Sequence, residues 1–145
     1  MDPLIHHRPS TGLQGKFSGE YVAAAALLDQ ALGLRTFTDE SVTRPEVHRL
    51  VKRVEVTESA IPPVGPADWK FSYAAVEVQT ENRGTLSERA NVPRGDHRAP
   101  LTRDELEAKF RDARGLLRQR LGRDALLTRL RNIDTTSRFT GLVAA

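Results

Sequence analysis

The sequence predicts an α+β protein: a three-stranded antiparallel sheet (meander and hairpin) with helices before and after it, in the order α-α-β-β-β-α-α. Three observations predict this class. An alanine-rich segment, VAAAALLDQAL, follows a helix-capping serine near the start. The hydrophobic period changes to two between residues 53 and 92. A stripe spaced by four, three and four returns after residue 102. Helices and strands are therefore segregated along the chain rather than alternating, which separates α+β from a doubly wound sheet.

Residues 1–17 read as an extended lead-in punctuated by proline and glycine. Ser18 is a good N-cap for a helix over 19–32, with Val22, Ala25, Ala26, Leu28 and Leu32 on a broad apolar face and Gly33 just past its end. The four consecutive alanines suit close approach of another element. Thr43-Arg44-Pro45-Glu46 has capping-box spacing with proline in the first turn, so a short helix is predicted over about 44–50. Val54 and Val56 alternate with Arg53, Glu55 and Thr57, which predicts the first strand. The prolines of 61–68 place a loop there. The second strand is predicted over about 69–80, where the apolar parity shifts and suggests a bulge near Ala74. Asn82-Arg83-Gly84 supplies a hairpin turn. The return strand, about 85–92, would set Leu86, Ala90 and Val92 on one face. Residues 93–100 form a turn-rich connector. Thr102-Arg103-Asp104-Glu105 is a second capping box, opening a helix over 103–120 with Leu106, Phe110, Ala113 and Leu117 as its stripe. Gly122 breaks it, and a last helix is predicted over about 124–132, followed by an apolar tail.

Composition narrows the function classes. The 145 residues suffice for one domain with a real core. The hydrophobic share of 39% and charged share of 28% describe a globular chain rather than a disordered one. A net charge of +3 is too small to argue for nucleic-acid binding, but it suits an anionic metabolite. Cysteine is absent, so disulfides, thiolate metal sites and cysteine nucleophiles are excluded. The longest apolar run, Val22 to Leu28, falls far short of the ~20 residues a spanning helix needs. The expectation is a cytoplasmic protein with neither membrane nor nucleic acid as partner.

The chemistry-bearing residues cluster at the start of the first helix. Arg8, Lys16, Ser18 and Tyr21 surround a helix N-terminus, where unpaired N–H groups and the positive dipole end favour an anion. Arginine can fork onto a carboxylate and lysine supplies a point charge. A tyrosine hydroxyl can hydrogen-bond a substrate or pass it a proton. In the plainer reading Ser18 only caps, Tyr21 only packs and the cations are solvated. His6 and His7 are adjacent, and His48 and His97 are isolated, so no ligand spacing points to a metal. The arginines between 103 and 138 are interspersed with Asp and Glu, which reads as an exposed face with local ion pairs. PRGD, residues 93–96, lacks the glycines of a phosphate cradle and reads as a turn.

Two stretches carry a resemblance. RPSTGLQGKFSGEY, residues 8–21, resembles the RPxTGxxAKFSxxY stretch of the MmgE/PrpD family, with Gly15 where the family usually has alanine. PRGDHRAPLTRDELEAKF, residues 93–110, resembles its PRGxxxxPLTxxELxxKF stretch. The family includes 2-methylcitrate dehydratase. Its members are metal-free lyases and isomerases of small di- and tricarboxylates, and they place the active site between a large helical domain and a smaller α+β domain.

The resemblance implies that residues 1–101 are the smaller domain and that 102–145 are closing helices which pack on a helical domain carried elsewhere. It implies Tyr21 as the catalytic residue and Arg8, Lys16 and Ser18 as substrate-binding residues. No metal or cofactor is implied. The expected function is the C-terminal part of a cofactor-independent lyase that removes a proton beside a carboxylate and expels water. No histidine or carboxylate is tied to the motif as a general base. The isolated chain is therefore expected to need a helical-domain partner and to act as a homo-oligomer. The alternative is a non-catalytic interaction module that binds another protein.

Overall fold

In a computed structural model the described residues are 4–59, 73–116, 127–128 and 130–132. They form five α-helices, one 3₁₀ turn and one hairpin, so the α+β class stands. The three-stranded sheet does not: the sheet has two strands, β1 (Ala74–Thr80) and β2 (Gly84–Ala90). Residues 54–59, which carry the alternating valines, belong to no strand. Val54 instead packs against the helical core, while Val56 stays 45% exposed. A period of two describes how side chains could alternate; a strand also needs a neighbour to satisfy its backbone.

The chain divides into two compact units, Met1–Leu101 and Thr102–Ala145. In the first, the lead-in is not wholly extended. Thr11 caps a one-turn helix, α1 (Gly12–Gly15), by accepting from the Gln14 N–H. This turn folds the lead-in back, and His6 N donates to Phe17 O across 3.1 Å. The next helix, α2 (Gly19–Asp29), starts at Ser18 as its cap predicts. It ends earlier than expected. Gln30 takes the left-handed conformation at φ 57° and its N–H closes on Ala26 O. Gly33 instead leads into the 3₁₀ turn Leu34–Phe37. Thr38 then caps α3 (Asp39–Val42), another single turn that hydrophobic spacing could not reveal.

The fourth helix, α4 (Pro45–Val51), has proline in its first turn as expected, but its capping box does not form. Arg44 occupies the N-cap without a side-chain cap bond, and Thr43 Oγ1 donates to Asp39 O across 2.8 Å. The core is small. Tyr21, Ala24 and Ala25 of α2 meet Val42 of α3 and Val47 and Val51 of α4, with Phe37, Leu50 and Val54 partly buried around them. The alanines let α4 approach α2 closely, and Tyr21 and Phe37 pack edge to face at 6.1 Å.

Arg44 also ties α4 to the end of α2 with a two-pronged bond to Asp29, at 2.9 and 2.6 Å. That bond holds the Asp29 carboxyl below the usual carboxylate range. A depressed carboxylate contributes stability above its unfolded pKa of ~3.9, and the contribution fades as pH falls through the folded value. The pair is partly exposed, so its worth is about 1 kcal/mol or less. Asp29→Asn should lower stability at pH 7 by that amount and by progressively less as pH falls below ~3.9, measured by urea titration across that range.

The hairpin is regular from Ala74↔Ala90 to Thr80↔Gly84, so no bulge interrupts it from Ala74 onward. Gly84 turns the corner at φ 69°. Ala74, Val76 and Val78 share a face with Leu86 and Ala90 through this register. That face is not sealed: Val76 is 50% and Leu86 49% exposed. PRGD is the expected turn, with Asp96 N donating to Pro93 O.

In the second unit the Thr102 capping box forms. Thr102 Oγ1 accepts from Glu105 N, and Thr102 N donates to Glu105 Oε2 at 2.7 Å, opening α5 (Arg103–Leu116). The stripe residue Leu106 remains 53% exposed, while Glu107 is buried under arginines. Arg103, Arg111 and Arg131 all reach Glu107, and these ion pairs lower its pKa, the Arg131 bond most. Residues 127–128 and 130–131 are helical. The predicted loop 61–68, the strand start 69–72, helix positions 117–120, 124–126 and 129, and the apolar tail lie outside the described residues.

Candidate functional site

The N-terminus of α2 already holds an anion of the chain's own. Ser18 is fully buried, and its Oγ accepts from Tyr21 N at 3.1 Å. Glu20, 8% exposed, occupies the first turn where the dipole favours negative charge. Its Oε2 accepts a long 3.5 Å bond from Ser18 Oγ, and its Oε1 accepts from His7 Nδ1 at 2.7 Å. A histidine and a carboxylate are thus joined to the motif, a pairing that sequence spacing did not show. It depends on the α1 turn bringing residue 7 beside residue 20. The bond fixes His7 in the Nδ1–H form and leaves Nε2 for solvent.

Tyr21 points the other way, into the core. It has no exposed surface, and its hydroxyl donates to the Thr36 carbonyl. Burial chiefly raises its pKa, against an opposing pull from Arg44, so the hydroxyl stays protonated through neutral pH. This group can donate a proton or a hydrogen bond; it cannot serve as a base.

A cleft beside Tyr21 is lined by Arg8, Pro9, Tyr21, Val42, His48, Val51 and Lys52. Its open volume is about 270 Å³ including the mouth, but only about 20 Å³ is deep enough for the centre of a water. Arg8 and Tyr21, two of the predicted site residues, therefore meet here. Tyr21 forms inner wall beneath the others and is not itself solvent-accessible. Ser18 is spent on the cap. Lys16 is exposed at the end of α1 and does not line the cleft. His48 and Lys52 were not singled out as site residues; His48 lies in the predicted helix but Lys52 falls just past its expected end, so their i, i+4 pairing was only partly readable. Among the described residues no group of three or more His, Asp or Glu side chains gathers as a metal would need. No helix among them is long and apolar enough to cross a membrane.

A profile of the MmgE/PrpD C-terminal domain matches residues 2–128, nearly the whole chain. This protein belongs to the MmgE/PrpD family. Two curated relatives in that family are similar to it. Cis-aconitate decarboxylase of Mus musculus is 31% identical over 103 residues, which is 71% of this chain and 20% of the relative. Cis-aconitate decarboxylase of Homo sapiens is 30% identical over 103 residues, 71% of this chain and 21% of the relative. The match thus spans about a fifth of the length of the curated relatives. Both motif stretches, 8–21 and 93–110, fall inside the region matched as the MmgE/PrpD C-terminal domain.

Proposed function

We propose that this chain is the C-terminal part of a lyase acting on small di- or tricarboxylates, and that it works with a helical domain. The observation that carries this reading is the meeting of Arg8 and Tyr21 at one cleft, inside a domain of a dehydratase- and decarboxylase-containing family. The chemistry favoured is removal of a proton beside a carboxylate with loss of water from the next carbon. Arg8 and Lys16 would hold carboxylates. Tyr21 would pass its proton to the departing hydroxyl, after exchanging the Thr36 carbonyl for substrate. Ser18 would hold the helix start that orients Tyr21. The general base would come from the partner domain.

The exposed leucines favour a partner. Leu27, Leu28, Leu32 and Leu34 are each 40% exposed or more, as is Leu106 of the second unit. Exposed leucines also suit the second reading, a non-catalytic module that binds another protein. Mixing the purified chain with a separately expressed helical domain of the family separates the two. The chain alone should not turn over 2-methylcitrate or cis-aconitate. The mixture should form a complex and consume one of them, followed by ultraviolet absorbance of the unsaturated acid. A stable complex without turnover of either acid would favour the binding module.

A further inference from the structure

We propose that Arg8, His48 and Lys52 form a subsite for one carboxylate group, holding the end of a polycarboxylate that does not react. The proposal deepens the lyase reading above and rests on it for the substrate class. It relocates the anion-binding function from the start of α2, where Glu20 already sits, to the cleft against α4.

The geometry has three parts. His48 and Lys52 lie one turn apart at the end of α4, so both side chains leave from the same face. Arg8 reaches the same cleft from the lead-in, held there by buried Pro9 and by the backbone bond from His6 to Phe17. The floor is apolar, formed by Val42, Val51 and the Tyr21 ring. No carboxylate lines the cleft. Its field is positive over an apolar, poorly hydrated floor, which strengthens attraction for an anion.

The charges are also uncommitted. Arg44, Arg98, Arg111 and Arg131 all have acid partners. The side chains of Arg8, His48 and Lys52 make no hydrogen bond or ion pair among the described residues. The inner space, about 20 Å³, holds one or two waters. It is on the scale of a single carboxylate group and too small for a whole tricarboxylate. The remainder of the molecule would project from the mouth.

The test uses the full chain, ¹⁵N-labelled, titrated with citrate at constant ionic strength and followed by NMR. Saturable shifts are expected at the amides around residues 8, 48 and 52. Lys52→Ala and Arg8→Ala should each weaken citrate about tenfold or more, the scale for loss of one charge-assisted bond. Arg49→Ala removes an exposed charge of the same helix outside the cleft and should leave citrate affinity within twofold. Inorganic phosphate is the second arm, and it should bind at least fivefold more weakly than citrate. Equal losses in Arg49→Ala and Lys52→Ala would reduce the effect to net charge and overturn the proposal. Phosphate binding as tight as citrate would overturn the carboxylate assignment. Absence of shifts at the cleft, with an active reconstituted complex, would sink the subsite and leave the lyase reading intact. Cleft binding with an inert complex would do the reverse.

Discussion

Gly12→Ala is expected to cost at least ~3 kcal/mol, because the added methyl has no room and nothing soft to push against. A Cβ at residue 12 would lie 2.0 Å from Phe37 O and 2.7 Å from Phe37 C, both backbone atoms. That backbone cannot retreat cheaply. Gly12 N donates to Asp39 Oδ1 at 2.7 Å, Thr38 caps α3, and the neighbouring Thr36 carbonyl receives the Tyr21 hydroxyl. Moving the junction would loosen all three. In a unit of this size, a loss of 3 kcal/mol lowers the melting temperature by more than 10 °C, readable by circular dichroism. Gly84→Ala is the informative comparison. Nothing lies within 4 Å of a Cβ there, but φ is 69°. Only the left-handed penalty of about 1–2 kcal/mol applies. A Gly12→Ala protein that melts no lower than Gly84→Ala would show that the α1–α3 junction yields.

Tyr21 should separate folding from chemistry. Tyr21→Ala removes the largest fully buried side chain from a core of six buried apolar residues. A loss of about 3–5 kcal/mol is expected, enough to unfold much of the protein at 37 °C. Tyr21→Phe keeps the ring and its edge-to-face packing on Phe37. It leaves the Thr36 carbonyl without this donor, at about 1–2 kcal/mol. The stability of the two proteins should also differ at high pH. Burial raises the Tyr21 pKa, so wild type loses stability as pH climbs past the unfolded value of ~10, and the phenylalanine variant loses less. If the hydroxyl serves the transition state, turnover by the reconstituted complex should fall about 10²-fold or more in Tyr21→Phe. Unchanged turnover would assign the tyrosine of this motif to structure alone.

Burial of Tyr21 is also where the sequence was most ambiguous. Residue types and spacing placed Arg8, Lys16, Ser18 and Tyr21 around one helix start, and the cap at Ser18 formed as read. Which way each side chain turned was not legible. Lys16 and Ser18 are two residues apart, yet one is exposed and the other sealed. The decision came from α1, whose single turn lacks any hydrophobic period. By folding the lead-in back, it set His7 against Glu20 and Arg8 against α4.

Local chemistry determined what local energies control. The Ser18 cap, the Thr102 capping box, the proline-first α4 and the hairpin corner at Gly84 each rest on contacts within four residues, so they could be read from the chain. The two motif stretches likewise carried the family, which the match over residues 2–128 bears out. Long-range packing decided the rest. Residues 54–59 alternated like a strand but pair with no strand among the described residues, and Val54 packs against the helices. The end of α2 was set by Gln30 and the Asp29–Arg44 pair rather than by Gly33. The cleft required residues 8, 21, 48 and 52 to converge from three segments. Such convergence depends on which distant surfaces gain most by excluding water together, and hydrophobic periodicity records the faces but not their partners.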